Sequence, residues 1–105
     1  MSIEDSQKID VISIDKEGNV VLTISDHLEW DESNENLLIL QNKINFYLAS
    51  IENRNLYEQY PEAKDRKIII SIIAKFRPND DGELFLQQAR ATLNSAGYAF
   101  FFSIL

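Results

Sequence analysis

Four stretches of the chain alternate apolar with polar residues, are β-branched almost throughout, or are rich in phenylalanine, and two others repeat their apolar residues every three or four positions. Residues 9 to 15 (IDVISID) and 19 to 26 (NVVLTISD) are rich in valine and isoleucine with a period near two, the pattern of half-buried strands. Lys16-Glu17-Gly18 separates them, and glycine takes the positive φ of a tight turn without steric cost, so the pair is predicted to form an antiparallel hairpin. From Leu37 to Ile51 the period lengthens. Leu37, Leu40, Ile44, Tyr47, Leu48 and Ile51 make one helical stripe. Its start is expected near Asp31 to Ser33, with Glu32 and Glu35 suited to the positive end of the helix dipole.

Residues 54 to 66 carry no sustained period and include Pro61, which predicts a connection with a short helical turn around Leu56 to Tyr60. Residues 67 to 76 (KIIISIIAKF) are apolar on both faces, as a strand central in its sheet must be. Pro78 to Glu83 then opens a second helix, with Asp80 expected at the cap and Glu83 completing a capping box. Phe85, Ala89, Leu93 and Ala96 are its expected buried stripe, Gly97 its stop, and Tyr98 to Ile104 the last strand.

The order ββαβαβ predicts an α+β fold, a two-layer sandwich in which a four-stranded mixed sheet carries two helices on one face, as a single domain over residues 1–105. Strand order 1-2-3-4 is the simplest, and insertion of the last strand between others is its alternative. Strand alternation sends Ile12/Ile14, Val20/Leu22/Ile24, Ile68/Ile70/Ile72 and Phe100/Phe102/Ile104 toward the helices. On the second face Ser13, Thr23, Ser71 and Ser103 are expected to form a row of hydroxyls beside Val21, Ile69, Ile73 and Phe101. That face is more apolar than a freely solvated one. Two readings follow: a homodimer face built on Val21, Thr23, Ile69, Ser71, Ile73 and Phe101, or a face covered by the 54 to 66 connection.

Charge narrows the partners. The 105 residues are 45% hydrophobic with a net charge of −7, so the chain has apolar material for a core while its field opposes nucleic acid and anionic membrane surfaces. Between Glu17 and Asn42 there is no Lys or Arg, while Asp26, Glu29, Asp31, Glu32 and Glu35 crowd the start of the first helix. Acids are favoured there with no ligand at all, and the functional reading is a docking site for a basic protein. Ile39 and Phe46, seven residues apart and away from the stripe, are expected to extend such a surface. No apolar stretch approaches the roughly 20 residues of a membrane span, and the first eight residues hold two acids and no apolar run, so a cytoplasmic location is expected.

Little else in the chain carries chemistry. Cysteine is absent, so disulfides and thiolate chemistry are excluded. His27 is the single histidine, and it has carboxylates close by in Asp26-His27-Leu28-Glu29-Trp30-Asp31, but no Gly-x-Ser-x-Gly elbow accompanies it. No catalytic residue is assigned. A metal site would have to be built from His27 and carboxylates, and the three glycines at 18, 82 and 97 form no phosphate-cradling loop, so neither metal nor cofactor is expected. Trp30 is expected to anchor its loop on the core.

The runs Val11-Ile-Ser-Ile-Asp15, Val21-Leu-Thr-Ile-Ser-Asp-His-Leu-Glu-Trp30 and Leu37-Leu-Ile-Leu-Gln41 resemble those of a family of small bacterial proteins carrying a domain of unknown function. The resemblance covers most of the chain, implies a bacterial, cytosolic origin and assigns no residue a role. Three functions stay open at this level. The first is a non-enzymatic interaction module, comparable in size and charge to a toxin-neutralising immunity protein. The others are a small-molecule-binding protein or enzyme with a cleft near His27, and a structural homodimer.

Overall fold

β-Branched and aromatic side chains favour an extended chain, and the four segments rich in valine, isoleucine, threonine or phenylalanine are the four strands of one sheet. The computed structural model describes residues 11–31 and 33–105. Ile9 and Asp10 of the first predicted strand, and Glu32, lie outside the described residues. Strands β1 (Val11–Ile14), β2 (Val20–Asp26), β3 (Ile68–Ala74) and β4 (Ala99–Ile104) lie in the order β1-β2-β3-β4. β1 is antiparallel to β2, whereas β2, β3 and β4 run parallel. In the β1–β2 turn Gly18 takes φ 87°, and the Asp15 carboxylate accepts from the backbone amides of Glu17 (3.0 Å) and Asn19 (2.8 Å).

Helix α1 (Glu35–Glu52) joins β2 to β3, together with the short α2 (Asn55–Gln59) and a 3₁₀ turn at Pro61–Ala63, and α3 (Asp80–Ser95) joins β3 to β4. Both long connections step the same way along the sheet, and right-handed crossovers of that kind stack their helices on one face. Burial agrees. Val20, Leu22, Ile24, Ile68, Ile70, Ile72 and Phe100 are buried with Leu40, Ile44, Tyr47, Ile51, Leu86 and Leu93 in one core. The 54 to 66 connection contributes Leu56 and Ala63 to that same core and so lies with the helices.

The second face is uneven. Ser13, Ser103 and Phe101 are exposed, Val21, Thr23, Ser71 and Ile73 half-buried, and Ile69, flanked by Val21 and Ala99, is 9% exposed. The expected row of hydroxyls is not formed. Register pairs Thr23 with Ser71 but sets Ser13 opposite Val21 and Ser103 opposite Ile73, so the four run diagonally.

Both long helices also depart from expectation in detail. α1 is rotated from its predicted stripe: Leu37 and Leu48 are half-buried, while the polar trio Asn36, Lys43 and Ser50, spaced by seven, is buried. Ile39 and Phe46 pack against the core but are only partly buried, and Leu38, 57% exposed, points outward. In α3 the cap is Asn79, one residue before the expected Asp80. Its side chain accepts from the Gly82 amide at 2.8 Å, and Leu86 takes the buried position expected of Phe85. Among the described residues no helix is long and apolar enough to cross a membrane.

The rotated α1 gives the first prediction. Leu40→Ala, at a fully buried position, lowers the unfolding free energy by about 3 kcal/mol in urea titrations, and Leu38→Ala changes it by less than about 0.5 kcal/mol. Equal losses at both positions would show that the helix presents a different side to the sheet.

Candidate functional site at the acidic end of the sheet

Because β2 and β3 are parallel, the helices that follow them start at the same end of the molecule, where open α/β sheets commonly place their sites. Two loops meet there, residues 26–35 ahead of α1 and 75–80 ahead of α3. Asn79 donates through its side-chain amide to the Asp31 carbonyl (3.2 Å), and Asn34 donates to the Asp81 carboxylate (3.1 Å). Loops nearly fifty residues apart in sequence are thus stitched together by two asparagines.

The 26–35 loop is shaped by its own short polar side chains. Asp31 accepts from the backbone amide and hydroxyl of Ser33, and the Ser33 oxygen accepts from the Glu35 amide at 3.3 Å. These local bonds hold the chain in a turn, so α1 begins at Glu35, after Asn34 in the left-handed conformation (φ 56°), later than the expected Asp31 to Ser33. Trp30 packs against the core as expected and lies over Gly82 of α3, where any Cβ would overlap its indole ring.

Beneath the loop is a buried polar pair. Asp26, 2% exposed, accepts from the Leu28 amide (3.1 Å) and from the Asn36 side-chain amide (2.9 Å). Burial raises the Asp26 pKa above its ordinary value of 3.8, and the hydrogen bonds from Asn36 and Leu28 and the charge of His27 only partly offset this. Asn36 is 3% exposed, and its Oδ1 has no hydrogen-bond partner among the described residues. The pair fixes the end of β2 to the first turn of α1.

Of the acids expected to dock a partner, Glu29, Asp31 and Glu35 are exposed and line, with Leu28, Asn36 and Ile39, an open hollow of about 410 Å³. Asp26 does not belong to that surface, since its carboxylate points inward to Asn36 and Leu28. Glu32 lies outside the described residues. The exposed acids Asp80 and Asp81 join the same end through the Asn34 and Asn79 bonds, a neighbourhood no periodicity announces. His27 is exposed and does not line the hollow. Among the described residues no group of three His, Cys, Asp and Glu side chains is placed to hold a metal ion.

The fold and this end define a small α+β sandwich with an acidic, loop-built surface. Residues 1–105, the whole chain, match the family of unknown function DUF6572, and the chain belongs to that family. No curated protein and no solved structure matches it.

Three variants probe the site. A group whose folded pKa is raised contributes stability that is complete below the unfolded value of 3.8 and is lost as pH rises through the folded value. At pH values above 3.8 the raised pKa of Asp26 therefore costs stability relative to acid. Asp26→Asn is expected to melt higher than the parent at pH 7, with the gain shrinking to nothing as pH falls below about 3.8. Asn36→Leu, which strips a donor from the buried carboxylate, costs about 2 kcal/mol at pH 7 and less in the Asp26→Asn background. For the close approach above α3, Gly82→Ala costs about 1–3 kcal/mol through overpacking, despite a gain in helix propensity of about 1 kcal/mol, and shifts the fluorescence of the single tryptophan. Unchanged emission together with raised stability would contradict the packing described.

Proposed function

We propose that the chain is a protein-interaction module whose acidic end docks a lysine- and arginine-rich surface of another protein. The observation that carries this reading is the stitching of the two loops, which gathers exposed Glu29, Asp31, Glu35, Asp80 and Asp81 at one end of a chain of net charge −7. Each helix start already has its own acid, Glu35 in α1 and Asp80 and Asp81 in α3, so the end as a whole repels anions. A hollow rimmed by carboxylates favours guanidinium and ammonium groups, which hydrogen-bond carboxylates with charge assistance. The bonds among Asp31, Ser33, Asn34, Asn79 and Asp81 support a preformed surface, which lowers the ordering cost of association. A catalytic cleft at His27 has no comparable support, since the hollow is lined by carboxylates, an amide and apolar side chains.

The test is an NMR titration with a short, defined Lys/Arg-rich peptide at low salt. Amide shifts are expected to cluster at residues 28–36 and 79–82 and to fade near 0.5 M salt, roughly the range in which exposed charges are screened. Charge reversal at Glu35 and Asp81 together weakens the peptide about tenfold or more. Shifts spread over the whole surface, or affinity indifferent to both reversals, would remove this end as the docking site.

A further inference from the structure

Among the described residues, β4 is an edge strand without the usual protections. Its sequence, Ala99 to Ile104, contains no charge, proline or glycine, and natural edges without such devices invite another strand. The Leu105 amide donates to the Ala74 carbonyl in β3. Because N–H and C=O of one residue point the same way in a strand, Phe100, Phe102 and Ile104 turn their backbone groups outward, to the open edge. On the second face of the sheet Phe101 stands 57% exposed, and Ile104 and Leu105 are 38% and 88% exposed.

The occupant that fits is a second copy of this chain. A strand without charge on a molecule of net charge −7 is where two copies meet with least repulsion. An antiparallel two-fold centred on Phe102 sets Phe102 against itself and Phe100 against the partner's Ile104, giving about six backbone hydrogen bonds. Beside this edge lies a hollow of about 420 Å³ between α3 and β4, lined among others by Glu83, Leu86, Arg90, Phe102 and Ile104. Arg90 stands over the Phe100 ring (5.9 Å) and so marks the level of Phe100, while Glu83 and Ile104 line the same hollow one helical heptad nearer the start of α3. The same two-fold that pairs Phe100 with the partner's Ile104 therefore carries Arg90 toward the partner's Glu83, and the reverse. Strand register and helix charge select one arrangement.

We infer that the chain forms a two-fold dimer through antiparallel β4–β4 pairing, locked by reciprocal Arg90–Glu83 contacts and continuing the sheet across both copies. Stacking through the second sheet face, on Val21, Thr23, Ile69, Ser71, Ile73 and Phe101, is the weaker competitor. Its central positions Val21, Thr23, Ser71 and Ile73 are already half-buried within one copy, whereas Phe100, Phe102 and Ile104 leave backbone groups open at the edge. The acidic end remains free in the edge-paired dimer, so this inference stands apart from the docking proposal.

The experiment is sedimentation equilibrium on the full chain from about 1 to 300 μM, spanning dissociation constants typical of modest interfaces. The parent is expected to dimerise in that range. Glu83→Arg and Arg90→Glu each weaken dimerisation about tenfold, and the double variant restores it to within about twofold, as expected of a reciprocal charge pair. Ser103→Lys, at an exposed position on the edge strand, abolishes it while circular dichroism stays native. A monomer at every concentration overturns the inference. So does a dimer indifferent to Glu83 and Arg90 but broken by Val21→Lys, which would place the contact on the sheet face, and so does a monomer that instead takes up extended peptides along β4.

Discussion

The parallel pairing of β3 with both of its neighbours is the constraint from which the rest of the molecule follows. Parallel strands cannot be joined by a tight turn, so β2–β3 and β3–β4 each require a long crossover. Chirality then leaves no freedom about where the helices go, since two right-handed crossovers stepping in one direction load one face of the sheet. Every special surface of the chain is a consequence. Helix starts and strand ends converge at one end, the described residues place no helical layer on the second face, and β4 lies at an edge.

That same convergence explains why the best-built polar features sit at a single end. Strand β2 delivers Asp26 beneath α1, and Asn36 in the first turn of the helix meets it. A buried carboxylate on a neutral amide is a costly way to join a strand to a helix, because each ion taken from water carries a desolvation penalty that hydrogen bonds only partly repay. Its effect is geometric: it fixes where the loop leaves the sheet, and so where Asp31, Asn34 and Glu35 lie relative to Asn79 and Asp81. Stability is traded there for position, as at many binding surfaces that work by preorganisation.

Most of the architecture is legible in the chain because it rests on periodicity. The isoleucines of β3 can be buried on both faces only at the centre of a sheet, and the Lys16-Glu17-Gly18 turn admits only a hairpin, so strand positions and layer order follow from residue type. What is hidden depends on details finer than a period. The rotation of α1 turns on Asn36, Lys43 and Ser50, which look like solvent-facing residues until Asp26 arrives from β2 to meet the first of them. The cap of α3 moved by one residue because Asn79 and Asp80 are both good caps and only the geometry of the turn chooses. Half of the acidic end was visible as a local run of carboxylates, and the other half, Asp80 and Asp81, was not, since only the fold brings residue 34 to residue 81. The diagonal of hydroxyls was out of reach for a similar reason: alternation gives the face of a strand residue, and register alone gives its neighbour.

Amide hydrogen exchange along β3 tests the central constraint most directly. A strand hydrogen-bonded on both sides protects consecutive amides, so Ile69 through Ala74 are expected to exchange slowly without interruption, at rates near those of global unfolding. Alternation of fast and slow amides along those residues, the signature of a strand with one open side, would contradict the parallel β2–β3–β4 arrangement and everything drawn from it.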